Sequence, residues 1–209
     1  QYDGYRFTPS KGFAPIYNPF SVLSALDKLR FGDYWFASGT PTFLVEILKK
    51  TDFDLRELDG IEVSSASLSD DRANISNPVP MIYQSGYLTI KSFDQRFRTY
   101  TLGFPNEEVK YGFLNFVAPF YTPVASTDTT FYIGKFVHEL ETGETEAFLT
   151  RLSCFFADFP YELNEKTERH YQVVFYLVFK LMGQFTQAEV RTAIGRADAV
   201  VKTADYIYV

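Results

Sequence analysis

A carboxylate able to do chemistry stands near the end of the chain, at Asp198, in the segment G-R-A-D-A-V-V-K-T-A-D-Y-I-Y-V over residues 195–209. Strand periodicity puts Arg196, Asp198, Val200 and Lys202 on one face, and Ala197, Ala199, Val201 and Thr203 on the other. The small residues suit packing against a helix. Asp198 then projects near the start of its strand, where a metal ion could be held. The plainer alternative is a strand-end carboxylate that serves the adjoining Gly195-Arg196 turn.

Other candidates are scattered upstream. Glu168 lies three residues before Tyr171, on the edge of the apolar stripe of a long helix and near its start. Glu189, on the strand before Asp198, and Glu165, a neighbour of Glu168, are rival acids; each also reads as a surface or salt-bridge residue. His138 sits among Phe136, Val137 and Leu140, the setting of a packed or surface histidine rather than a ligand. Cys154, the sole cysteine, can form no internal disulfide. It reads as a small buried hydrophobe in a reducing compartment, with a nucleophile as the alternative.

The element that must position the C-terminal acids is the strongest periodic segment of the chain, a helix predicted over 164–182. Tyr171, Val174, Phe175, Val178, Phe179 and Met182 follow helical spacing, and Gly183 supplies its end. Strands are predicted at 185–192, 196–203 and 206–209, with a turn at Asp205, which makes an α-β-β-β meander. Upstream, helices are predicted over 106–120, 128–142 and 144–158. Phe148, Leu152, Phe155, Phe156 and Phe159 mark the core face of the last of these.

The N-terminal part begins with an aromatic, Gly- and Pro-containing arm over 1–17, carrying an Asp3-Gly4 turn signal. Asn18-Pro19 opens a helix with Phe20, Leu23, Leu26 and Leu29 as its apolar stripe, and Gly32 is expected to end it. Thr40-Pro41 opens a second helix with Phe43, Leu44, Ile47 and Leu48 inward. A polar stretch over 51–77 follows, then a short helix after Pro80. Strands at 87–91 and 100–104 form a hairpin whose tip carries Arg96 and Arg98. Three helices and a hairpin are the order of a winged helix, which serves either as a DNA contact or as a structural lid or protein-contact module.

Composition sets limits on this reading. The 209 residues suffice for one large or two small domains, with 46% hydrophobic and 22% charged residues. Aromatic residues reach 18%, 22 Phe and 15 Tyr against one Trp, which favours ring-packed cores over disorder. The formal charge of −6 is unlike that of most free-standing nucleic-acid binders, although the metal-binding carboxylates of a nuclease are themselves acidic. No apolar run is long enough to span a bilayer and no signal peptide is seen. With its start at Gln1, in mid-motif, the chain reads as an internal fragment of a cytoplasmic protein.

The closing segment resembles the core of the PD-(D/E)XK nuclease superfamily, in particular the bacterial group joined to an AAA-ATPase-like domain. Y-D-G-Y-R-F, I-Y-N-P-F-S-V-L, Y-W-F-A-S-G-T-P-T-F-L, Q-S-G-Y-L-T-I-K, L-G-F-P-N-E-E-V and F-F-A-D-F-P-Y match that group in order along the chain. The resemblance implies an α+β chain. A mostly helical, winged-helix-like lid region at 1–105 and a bridging helix at 106–127 precede the first part of a restriction-endonuclease-like domain at 128–209.

It also implies metal-assisted phosphodiester hydrolysis on nucleic acid, DNA ahead of RNA, with Mg²⁺ held by carboxylates and a lysine nearby. Asp198 matches the first hairpin carboxylate and Glu168 the helix glutamate. The E-x-K half-motif is expected directly after Val209, so this stretch alone is expected to be inactive and to bind Mg²⁺ weakly. ATP is expected only through a domain preceding residue 1, since no G-x-x-x-x-G-K-[ST] occurs. The alternative is an NTP-driven switch or protein-interaction module with a degenerate nuclease fold. Homo-oligomerisation through an exposed strand edge at 206–209 is a further expectation.

Overall fold

The computed structural model describes residues 1–9, 13–38, 42–51, 53–68, 77–122, 126–157, 168–193 and 196–209. They fall into two units, 1–113 and 114–209. Each contains helices and one three-stranded antiparallel sheet, so the class is α+β.

In the first unit the arm pairs Tyr5 with Ile16 through two backbone hydrogen bonds of 3.2 and 2.9 Å. Gly4 takes φ +104°, and a Cβ there would sit 2.0 Å from the Pro105 carbonyl oxygen, so only glycine fits. Helix α1 (Pro19–Lys28) is capped by Asn18, whose Oδ1 accepts from the amides of Phe20 and Ser21 at 2.9 and 3.2 Å. It ends on Leu29 in the left-handed region, φ 50°, three residues before the expected Gly32. Gly32 instead donates its amide to Tyr2 Oη at 2.9 Å.

Helix α2 (Thr42–Lys50) turns Leu44, Val45 and Leu48 inward, leaving Phe43 45% exposed, so its buried face is rotated from the expected one. Then come β1 (Ile61–Ser64), α3 (Ser65–Leu68), α4 (Val79–Gln84), β2 (Thr89–Asp94) and β3 (Thr99–Gly103). The sheet order is β1-β3-β2, with Val63 opposite Tyr100 and Ile90 opposite Leu102. In the sequence the four residues of β1 fall within a polar stretch. A strand that short has too little alternation to register, and its pairing with β3 is what makes it a strand. The β2–β3 turn is held by Asp94, whose Oδ1 accepts from the amides of Arg96 and Phe97 at 2.7 and 3.0 Å.

Helix α5 (Glu107–Tyr121) begins in the first unit, where the rings of Trp35, Tyr87, Phe113 and Phe104 pack in succession with centroids 5.5–6.4 Å apart.

In the second unit α6 (Ser126–Glu141) and α7 (Thr145–Ala157) form a hairpin closed at Gly143, φ 79°. Phe136, Phe148 and Phe155 meet edge to face between them. Helix α8 (Glu168–Met182) packs on α6 on one side and on the strands β4 (Gln187–Ala193) and β5 (Arg196–Lys202) on the other. Two partners explain why Val173, Val174, Tyr176, Leu177, Val178, Phe179, Leu181 and Met182 are all buried, well beyond a single stripe. Strand β6 (Ile207–Tyr208) completes the meander β4-β5-β6. Cys154 is exposed on α7, not buried as expected, because the neighbouring Phe155 takes the inward position. His138 is exposed on α6.

Candidate active site

The ladder of the second sheet sets where Asp198 stands. Residues 187–193 pair in continuous antiparallel register with 202–196, so Asp198 faces Arg191 and Val200 faces Glu189. One strand face is closed: Val201 is 1% exposed and Thr203 is buried beside it. Across the ladder, Gln187 and Glu189 are exposed with a half-buried Ala188 between them, and Lys202 is exposed. Alternation therefore puts the Asp198 position with Val200, Lys202, Glu189 and Arg191 on the face turned away from α8. Glu189 is a diagonal neighbour of Asp198 on that face, a relation that spans about 7–8 Å between backbones.

Glu168 arrives at the same end of the unit by another route. Only residues 183–186 join α8 to β4, and their amides bond back onto Lys180, Leu181 and Met182 at 3.0–3.1 Å. Thr186 Oγ1 also donates to the Lys202 carbonyl at 2.7 Å. A connection this short between packed elements sends β4 back along α8. The start of β5, which carries Asp198, then lies toward the helix start. Glu168 opens that helix, where a negative charge suits the dipole. Its carboxylate is exposed and accepts a hydrogen bond from Gln172 Nε2 at 3.1 Å, one turn on. Glu168 and Asp198 thus share an end of the unit, Glu168 on the helix and Asp198 on the strand face turned from it. Glu165 lies outside the described residues.

A histidine that no ligand motif in the sequence marks also stands on this helix. His170, two residues after Glu168, is half-buried, and burial lowers its imidazole below the ordinary histidine value. It is therefore neutral at pH 7 and rests edge-on to Tyr171, centroids 6.2 Å apart. The available signal was its place on the same helix turn as Glu168.

At the other end of β5 the chain makes the turn expected around Asp205. The Thr203 amide donates to the Tyr206 carbonyl at 2.9 Å, and the Tyr206 amide to Thr203 Oγ1 at 3.0 Å. Strand β6 then pairs Ile207 with Lys202 and Tyr208 with Val201. The Tyr208 hydroxyl donates to the Leu140 carbonyl at 2.8 Å, which ties β6 to the end of α6.

A hard cation such as Mg²⁺ takes six oxygens in octahedral array, usually one or two carboxylates completed by water and substrate. Among the described residues no group of three or more His, Cys, Asp or Glu side chains is arranged to hold a metal ion. The residues present do not fit a complete Mg²⁺ site. Asp198 belongs to β5 and Glu168 to α8, and no catalytic step through a cation follows from them alone. Among the described residues no helix is long and apolar enough to cross a membrane.

Residues 166–209, which hold α8 and the whole β4-β5-β6 meander, match the PD-(D/E)XK nuclease superfamily. Over 215 aligned residues the chain is 30% identical to a protein of Azotobacter chroococcum mcd 1 described as an uncharacterised protein in the vnfD 5′ region. The alignment takes in 99% of this chain and 40% of that protein, so the chain spans about two fifths of the relative's length. No solved structure matches it.

Proposed function

We propose that the second unit is the opening part of a metal-dependent nuclease domain that cleaves phosphodiester bonds in nucleic acid, DNA ahead of RNA. The observation that carries this reading is the coincidence of the superfamily match with one structural unit, a helix followed by three antiparallel strands, with Asp198 near the start of the central strand. Asp198 and Glu168 would be its carboxylates for Mg²⁺, which would supply charge stabilisation at the phosphate and a more acidic water. In the complete site Asp198 would come from β5 and Glu168 from the start of α8.

In this reading the remaining ligands lie on the continuation of β6. Continuing the β5–β6 register puts Val209 opposite Val200, the second residue past Val209 opposite Asp198, and the fourth opposite Arg196. Those two positions share the face of Asp198. An E-x-K with its Glu and Lys there sets an acid and an ammonium beside Asp198, the donor set this chemistry uses.

The first unit serves in this reading as a winged-helix-like lid region. Its succession α2, β1, α3, α4, β2, β3, with β1 beside β3, supports that reading, and the β2–β3 turn with Arg96 and Arg98 is its wing. Coupling to an ATPase domain rests on the resemblance of the N-terminal segments.

The test is cleavage of DNA and RNA by the full-length gene product in Mg²⁺, compared with Asp198→Ala. Loss of Mg²⁺-dependent cleavage in the variant, with its unfolding transition unchanged, supports the proposal. Equal cleavage by both removes Asp198 from the mechanism. Absence of cleavage by either, together with no E-x-K at the two ladder positions, gives way to a non-catalytic interaction module.

A further inference from the structure

Helix α1 is inside out. Its large apolar residues Phe20, Leu23 and Leu26 are 49, 66 and 66% exposed, and of its apolar side chains only the smaller Val22 and Ala25 are half-buried. Leu29 and Phe31 beyond it are 89 and 76% exposed. The residue it buries completely is Ser21. An amphipathic helix ordinarily does the reverse, because each buried leucine is worth about 1.5–3 kcal/mol.

The orientation is specified by bonds that a rotation of the helix would break. Ser21 Oγ donates to Glu108 Oε1 at 3.0 Å, and the same oxygen accepts from the amides of Tyr34 and Trp35 at 2.7 and 2.9 Å. Glu108 is 1% exposed. At the helix start the Asn18 amide donates to the Tyr2 carbonyl at 2.8 Å while its side chain caps α1. Turning Leu23 and Leu26 inward would take Ser21 away from a buried carboxylate. The sequence thus commits a polar anchor to the inside and an apolar stripe to the outside, the pattern of a face built to be covered.

We infer that the outer face of α1 is the docking surface for a further segment of the same polypeptide, one with an apolar face of its own. The length relation favours this occupant over a second copy: the aligned relative carries about three fifths of its chain outside the stretch matched here. The inference is independent of the nuclease reading, because it concerns the first unit and needs no catalysis.

Hydrogen exchange of the amides over 19–31 tests it, measured on the full-length gene product and on residues 1–209. Exchange at least about tenfold slower in the full-length product is expected. It is expected to return to the fast rate in the double variant Leu23→Asp/Leu26→Asp. Both side chains are exposed in this unit, so the variant folds as the parent does, which circular dichroism of the 209-residue chain checks. Three results overturn the inference: equal exchange in both proteins, slowing in the 209-residue chain as its concentration rises with light scattering reporting a dimer, or a gene product with no further chain.

Discussion

Glu108 and Glu168 stand in the first turns of α5 and α8, each where the helix dipole favours a carboxylate. Glu108 is 1% exposed and gathers a hydroxyl and two amides on a single oxygen, joining α1, the turn at Tyr34–Trp35 and α5. Glu168 is exposed and meets only a neighbouring glutamine in the described hydrogen bonds. The same residue type in a first helix turn is consumed by architecture in one unit and turned to solvent in the other. What separates them is whether chain from elsewhere in the sequence brings donors to the carboxylate. Position in a helix alone does not identify an acid that does chemistry.

The sharpest way to break this contrast is to remove each carboxylate in turn. Glu108→Ala strands Ser21 Oγ and the amides of Tyr34 and Trp35 in the interior. A loss of about 3–4 kcal/mol is expected, because each orphaned group costs roughly 1–3 kcal/mol and partial rearrangement recovers some of that. Urea unfolding followed by the fluorescence of Trp35, the sole tryptophan, measures it. A loss under about 1 kcal/mol would show that the buried network does not hold the unit together.

Glu168→Gln is expected to behave oppositely. Its effect on unfolding stays within about 0.5 kcal/mol, as for surface substitutions generally. Mg²⁺-dependent cleavage by the full-length product is expected to fall by about 10²-fold, roughly 2.7 kcal/mol in the barrier. Glu189→Gln made in parallel tells the two acids apart. If it abolishes cleavage while Glu168→Gln does not, the ligand beside Asp198 comes from its own strand face and not from the helix.

Glu139 gives an intermediate case on α6. Its carboxylate is buried and accepts from Arg151 Nε of α7 at 2.6 Å, with the arginine side chain 38% exposed. Arg151→Ala leaves a buried charge with water able to reach in from the arginine's side. A loss of about 1–2 kcal/mol is expected, below the 3–5 kcal/mol for breaking a fully buried pair. Thermal unfolding of the Arg151→Ala and Arg151→Lys variants measures it, with lysine recovering part of the loss.

The smallest effect belongs to His170. Burial lowers its folded pKa, so the unfolded chain binds the proton more readily. Stability from this group is full above the ordinary histidine value, about 6.5, and is lost as pH falls from there through the depressed folded value. His170→Gln is expected to flatten the pH dependence of unfolding as pH falls below the ordinary histidine value. An unchanged slope would assign that dependence to other groups.

Much of the second unit was legible before any coordinates. Local rules suffice there, since α8 carries strong 3.6-residue periodicity, β5 alternates with small residues on one side, and Asp205 marks the turn to β6. Elements that follow one another in sequence also pack on one another. In the first unit that condition fails. Strand β1 exists because it meets β3 some forty residues on, and α1 takes its orientation from Glu108, 87 residues away. Its apolar stripe was visible in the spacing of Phe20, Leu23 and Leu26, but which way it faces was not.

Sequence by itself determined the α-β-β-β order and the strand that carries Asp198, because strand and helix periodicities follow from backbone geometry alone. Tertiary structure decided the rest. It assigned Glu108 to the interior and Glu189 to the face of Asp198, exposed Cys154, and turned the leucines of α1 outward. Each of these depends on contacts between residues distant in the chain, where burial and hydrogen-bond partners are set by neighbours that no local pattern names.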